Sequence, residues 1–254
     1  VAALGAFYLL QSRHREQAAL FLRLGVVCGL VSSVLVAFPT GDRQAKLVAI
    51  HQPAALAAME GRFQSGPDAG LNLIGQPDVR GRRLDNAIAV PGALSFLAYG
   101  HFYSDVRGLD EFPEKDWPDQ IALLYYAFHI MAGLGTILAG IMLVAGLLAW
   151  TGRLERSRPM LWVLMLSFPF PYIAVIAGWM TAELGRQPWI VYGLLRTADG
   201  TSPTVHAGTA LFTLIGFCGL YLVLGILFLF LIAQEIGRGP ERRGHVAEKA
   251  VSHA

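Results

Sequence analysis

Apolar runs long enough to cross a bilayer decide what this chain can be. Ala19 to Phe38, Gln120 to Trp150, Pro159 to Ala182 and Val205 to Ala233 are each dominated by apolar residues. Each reaches the roughly 20 residues that a helix needs to span hydrocarbon. A further stretch, Val1 to Gln11, is only about half that length. It has no charged region before it and no small-residue cleavage site after it, so it reads as the end of a helix and not as a signal peptide. The expectation is an all-α polytopic membrane protein. It has four complete transmembrane helices plus one truncated N-terminal helix, in a chain that is a fragment of something longer. A hydrophobic share of 54% against 15% charged agrees with this. The net charge of +2 is too small for a nucleic-acid partner, and membrane lipid is the expected surroundings.

Four parts follow in order. Residues 1–38 hold the truncated first helix and the second span. Residues 39–119 form a long polar loop with few strand-like alternations, in which Pro53 to Phe63 and Val90 to Tyr99 read as short helices on or near the membrane surface. Residues 120–233 carry three further spans, and residues 234–254 form a charged tail expected to be mobile. Basic residues crowd three short connections: Arg13 and Arg15; Arg153, Arg156 and Arg158; and Arg238, Arg242 and Arg243. Alternating crossings put all three on one side, which the positive-inside rule makes cytoplasmic. Residues 39–119 and 183–204 then face outward. Cys28 and Cys218 lie inside apolar runs and read as small buried hydrophobes without a disulfide.

Three strings carry chemistry. The first is Gly178-Trp179-Met180-Thr181-Ala182-Glu183-Leu184-Gly185-Arg186-Gln187-Pro188-Trp189, followed by Tyr192-Gly193-Leu194-Leu195-Arg196-Thr197. A carboxylate at the rim of a membrane helix is costly unless paired, protonated or metal-bound. By residue type alone, Glu183 and Arg186 could form an ion pair at a helix end, with Trp179 and Trp189 as interfacial anchors. The second string is Phe128-His129-Ile130-Met131-Ala132-Gly133-Leu134-Gly135, where a methionine in an apolar helix also serves ordinary packing. Gly135 with Ala139 and Thr136 with Gly140 give small-residue spacing, suited to close approach by a flat group or by another helix. The third string is Gln52-Pro53-Ala54-Ala55-Leu56-Ala57-Ala58-Met59-Glu60-Gly61, with Val106-Arg107-Gly108-Leu109-Asp110-Glu111-Phe112-Pro113 downstream.

Together these strings resemble the C-terminal portion of subunit I of cytochrome bd-type quinol oxidases. The resemblance implies that Met131 is an axial ligand of a low-spin haem b. A thioether there favours reduced iron and raises its potential. His129 and Met131 point to opposite helix faces and do not share one iron, so His129 is expected as a polar neighbour of the haem. Glu183 is expected to ligate one of two high-spin haems at the oxygen site, which holds haem d or a b-type replacement. Trp179 is expected beside those haems, and Arg186 at a propionate.

Glu60 is expected in the quinol-binding loop, as a proton acceptor. The family's lysine in that loop is Ala55 here, with Lys46 or Arg62 as possible substitutes. The family's two histidine haem ligands and its acidic proton path precede residue 1. The implied function is part of a terminal respiratory oxidase that oxidises quinol, reduces O2 to water and contributes to a proton gradient. Its implied partners are subunit II, quinol and O2, in a bacterial cytoplasmic membrane. The alternatives are a haem-free multipass transporter and a truncated, non-catalytic relative of the oxidase.

Overall fold

The computed structural model describes residues 1–67, 69–202 and 204–240. Helix α1 (Ala2–Leu10) packs on α2 (Arg15–Leu35) at very short range. A Cβ on Gly5 would lie 2.5 Å from the Leu22 nitrogen, and one on Gly25 would lie 2.3 Å from that of Ala2. Backbone touches backbone there, and only glycine leaves room.

The second span does not stop at Phe38. A π-helical segment, Val36–Gly41, joins α2 to α3 (Asp42–His51), giving a continuous helix of 37 residues from Arg15. Pro39 has no N–H for the Leu35 carbonyl, which should end or kink the helix. The Thr40 hydroxyl makes good the loss, donating to the Leu35 oxygen at 2.9 Å and to the Val36 oxygen at 3.0 Å. The helix widens instead of breaking, and the loop expected from residue 39 begins only past His51.

The loop itself corrects the sequence reading. After α4 (Pro53–Met59), β1 (Leu71–Asp78) pairs antiparallel with β2 (Arg83–Val90), from Leu71 opposite Val90 to Asp78 opposite Arg83. Two irregularities between Asn72 and Gln76 shift the pairing. Each bulge moves residues to the other face and erases the alternation that would mark a strand. Helix α5 (Ala93–Tyr99) follows, within the segment read as helical.

Helix α6 (Ile121–Trp150) is the third span and matches its expected limits. The fourth span is two pieces, α7 (Arg158–Leu166) and α8 (Phe170–Arg186), parted at Ser167 to Pro169. Pro169 and Pro171 both lack the N–H that a continuous helix would use there. A short hairpin of β3 (Trp189–Val191) and β4 (Leu195–Arg196) comes next. Helix α9 (Ala207–Arg238) is the fifth apolar run and absorbs residues 234–238, which had been placed in the tail. Arg242, Arg243 and the rest of the expected mobile tail lie outside the described residues.

Four helical stretches are long and apolar enough to cross a membrane. One core cluster joins Ala6, Leu22 and Val26 to Ala145 of α6 and to Met160, Leu161 and Leu164 of α7. Another seats the loop on the opposite end of α6, through Ala57, Ala58, Phe63, Leu109, Trp117, Ile121 and Leu124. The α1–α2 turn, the α6–α7 connection and the end of α9 lie at the end away from that loop. Arg23 bridges to Glu155 at 2.6 Å, and the Tyr8 hydroxyl donates to the Ile236 carbonyl at 2.8 Å. Cys28 and Cys218 are exposed and free, contrary to the buried reading. They sit on helix faces that meet the surroundings, not the core.

Candidate functional site

Helices α6 and α8 run against each other, and the loop helix α4 packs on both. Met131, part-buried on α6, sets its sulfur against α8 at Gly178: a Cβ there would lie 2.9 Å from Met131 Sδ. Trp179 is the next residue and stands 65% exposed. One turn on, in the last turn of α8, the Glu183 carboxylate is 3.9 Å from the Arg186 guanidinium, with both side chains about half exposed. At that distance and exposure the pair is weak and leaves the carboxylate available. Between them Gly185 is buried against α4, its Cβ position 2.9 Å from Met59 Cε and 3.8 Å from Ala55 Cβ.

Ala55 is itself buried, on the side of α4 that faces α8 at Gly185. Neither proposed stand-in for the family's lysine reaches that place freely. Lys46 pairs with Asp42 at 2.7 Å on α3, and the Arg62 guanidinium donates to the carbonyls of Gly66 at 2.9 Å and Val106 at 3.3 Å.

Glu60 sits just past α4 and is only 1% exposed, with its Oε2 unpartnered. Burial pushes its pKa up to about 7, with a backbone hydrogen bond from Asn72 working the other way. The Asn72 side chain also donates to the Glu60 carbonyl at 2.7 Å. Asn72 lies on β1, so the hairpin missed in the sequence is what closes over Glu60. Its own carbonyl oxygen is 2.7 Å from His129 Nε2, while His129 Nδ1 is 2.8 Å from the Tyr125 carbonyl oxygen. The His129 ring also stacks on Tyr125, with centroids 3.9 Å apart. A run of contacts thus leads from Glu60 through Asn72 and His129 to the helix that carries Met131.

The ends of α6 and α8 are tied separately. Arg196 pairs with Asp116, donates to the Lys115 carbonyl at 2.9 Å, and lies 4.5 Å over the Trp189 ring. Gly178 opens the first string but has no role of its own there, and Asp116, Asn72 and Tyr125 were not singled out from sequence. The spacing Tyr125–His129, one helical turn, was the only local signal for any of them.

The donor set suits haem. A porphyrin brings four nitrogens and asks the protein for one or two axial ligands, such as thioether or carboxylate. It also needs a smooth apolar face, and positions Gly133, Gly135 and Gly140 of α6 are open, with nothing within 4 Å of a Cβ there. Among the described residues no group of three or more His, Cys, Asp and Glu could hold a bare metal ion.

Comparison with known proteins agrees with this chemistry. Residues 1–240 match the family model for cytochrome bd terminal oxidase subunit I. The chain is 34% identical to the cytochrome bd ubiquinol oxidase subunit 1 of Bacillus subtilis over 96% of its own length and 54% of that protein's. It is 26% identical to the cytochrome bd-II ubiquinol oxidase subunit 1 of Escherichia coli, over 94% and 59% respectively. The solved bd oxidase of Geobacillus thermodenitrificans superposes with a TM-score of 0.79 at 31% identity, over 94% of this chain and 54% of that one. The chain thus spans about half the length of the relatives it matches. With four membrane-length helices and a match over residues 1–240, this multi-pass bacterial membrane chain belongs to the cytochrome bd terminal oxidase subunit I family.

Proposed function

We propose that this chain forms the quinol-binding and part of the haem-binding portion of a quinol:oxygen oxidoreductase. The reading is supported above all by the buried Glu60 carboxylate, one of whose oxygens is unpartnered, and its contact path through Asn72 and His129 to the Met131 helix. Quinol oxidation releases two protons and two electrons, and it needs a base close to the entry of the electron path. Glu60 is such a base. With a pKa near 7, it takes a proton from a quinol hydroxyl and gives it up again at neutral pH.

Met131 would hold the low-spin haem b, with His129 as its polar neighbour. Glu183 would hold one high-spin haem at the oxygen site, where haem d or a b-type replacement sits. Bound there, these haems supply one-electron steps between quinol and O2. Trp179 lies on the face of α8 that Glu183 shares, one turn away, and its exposed indole lines that face. Arg186 offers a planar fork to a propionate at small cost, because its bond to Glu183 is long.

The basic connections put the α1–α2 turn, the α6–α7 connection and the end of α9 on the cytoplasmic side. The loop and the β3–β4 hairpin then face outward, so protons lost by quinol leave to the outside and contribute to the gradient. The complete oxidase includes the rest of subunit I and a partner subunit II.

A reduced-minus-oxidised absorption spectrum of the purified complete complex tests this reading. Low-spin b bands with a far-red band support haem b and haem d. Low-spin b bands alone support a b-type oxygen site. Absence of haem from well-folded complex refutes the oxidase reading.

A further inference from the structure

Two buried polar side-chain atoms at the loop–helix junction lack a hydrogen-bond partner: Glu60 Oε2 and Tyr125 Oη. Both residues are 1% exposed. They come from segments far apart in sequence, but the Tyr125 ring lies against the residue after Glu60. A Cβ on Gly61 would fall 3.1 Å from Tyr125 Cδ2 and 3.0 Å from Leu84 Cδ1 of the covering hairpin. Buried polar groups are nearly always satisfied, so two open ones at one junction call for a ligand or a water. The other polar side chains here are committed. His129 faces a carbonyl with each ring nitrogen, and Asn72 and Arg62 hold backbone oxygens.

The needs of the two open groups are complementary. A carboxylate oxygen accepts, and a phenol has a proton to donate. A carbonyl would satisfy Tyr125 alone, and an ammonium group Glu60 alone. A hydroxyl satisfies both, because its oxygen accepts from Tyr125 while its proton goes to Glu60.

We propose that Tyr125 is a substrate-binding residue of the quinol pocket, its phenol donating to the same quinol oxygen whose proton passes to Glu60. This rests on the reading of Glu60 as the quinol base. The bond that breaks is the quinol O–H. Its proton bonds to Glu60, the electron that leaves the ring would be taken up by a bound haem as one-electron acceptor, and Tyr125 neither gains nor loses a proton. When the quinol oxygen has become a quinone carbonyl, the same donor still holds it, so Tyr125 binds substrate and product alike.

The test uses the complete oxidase carrying Tyr125→Phe, Glu60→Gln or Tyr126→Phe. Tyr125→Phe keeps the ring and its stacking on His129, and Tyr126, 44% exposed, is the control. Three quantities are measured: KM for a short-chain quinol in oxygen uptake, equilibrium binding of the matching quinone to the oxidised enzyme, and the haem spectrum. Tyr125→Phe is expected to raise KM and weaken quinone binding by about tenfold, the scale of one hydrogen bond. The haem spectrum and the rate with a non-quinol electron donor should stay unchanged. If Glu60→Gln impairs quinol oxidation while Tyr125→Phe leaves KM and quinone affinity as they were, Tyr125 meets only water and the proposal is overturned alone. If Tyr126→Phe produces the same loss, the effect is not specific to Tyr125 and the proposal is again overturned. If Glu60→Gln oxidises quinol normally, the underlying base reading falls and takes the proposal with it.

Discussion

The sulfur of Met131 fills a notch that Gly178 leaves in the neighbouring helix, only 2.9 Å from where a Cβ would stand. The position of the proposed haem ligand is therefore set by a glycine on another span. Gly178→Ala should push the thioether aside, at an overpacking cost of about 1–3 kcal/mol. The expected outcome is a shifted low-spin haem band in the complete oxidase. An unshifted band would show that the notch does not set the ligand.

Removing the proposed ligands themselves should separate the two proposed haem centres. Met131→Ala is expected to abolish the low-spin haem signal and leave the high-spin bands in place. Glu183→Ala should do the reverse, perturbing a high-spin band and stopping oxygen uptake. Difference spectra of the two variants check this, and a normal low-spin signal in Met131→Ala would refute that assignment.

Glu60 makes a pH prediction of definite sign. Its pKa is raised from 4.5 to about 7 on folding, so folding favours the neutral acid. Its contribution is fully present below about pH 4.5 and is lost as pH rises through about 7, a change on the order of 3 kcal/mol. Thermal unfolding of the complex should show wild type losing stability over that window relative to Glu60→Gln, with the two running parallel above it. Activity should run the other way: kcat/KM for quinol rises through about pH 7 as the base ionises, and Glu60→Gln lacks that limb. Matching stability profiles for the two proteins would mean that the carboxylate is solvated.

Arg196 holds the hairpin after α8 to the segment before α6. The side chains of Arg196 and Asp116 are only 29% and 25% exposed, and the guanidinium also covers Trp189. Arg196→Ala is expected to cost about 1–3 kcal/mol, read as a lower Tm of the complex. Asp116→Ala should cost a similar amount. The double variant should cost less than the sum, because both changes remove one shared contact.

The spans could be read locally because crossing a bilayer demands a contiguous apolar run, and contiguity is visible in sequence. The same holds for Met131, Glu183 and Glu60, whose neighbours in the chain spell the strings that carry the resemblance. Boundaries were harder where one side chain repaired another's defect. Pro39 marks a stop in any local reading, and only the Thr40 hydroxyl turned back on the Leu35 carbonyl lets the helix run on. The hairpin Leu71–Val90 escaped notice because its bulges scramble the period-two pattern.

By itself, then, the sequence determined which stretches are long and apolar enough to cross a membrane, which short strings carry the family resemblance, and where its basic connections lie. Only the tertiary structure decided what surrounds those strings. It placed Asn72 between Glu60 and His129, Tyr125 against Gly61, Met131 in the notch of Gly178, and Ala55 against Gly185. The physical reason is one of range. Hydropathy and helical period are properties of neighbouring residues, whereas burial, an unmet hydrogen bond and a raised pKa arise between segments that meet only once the loop has folded onto the ends of α6 and α8.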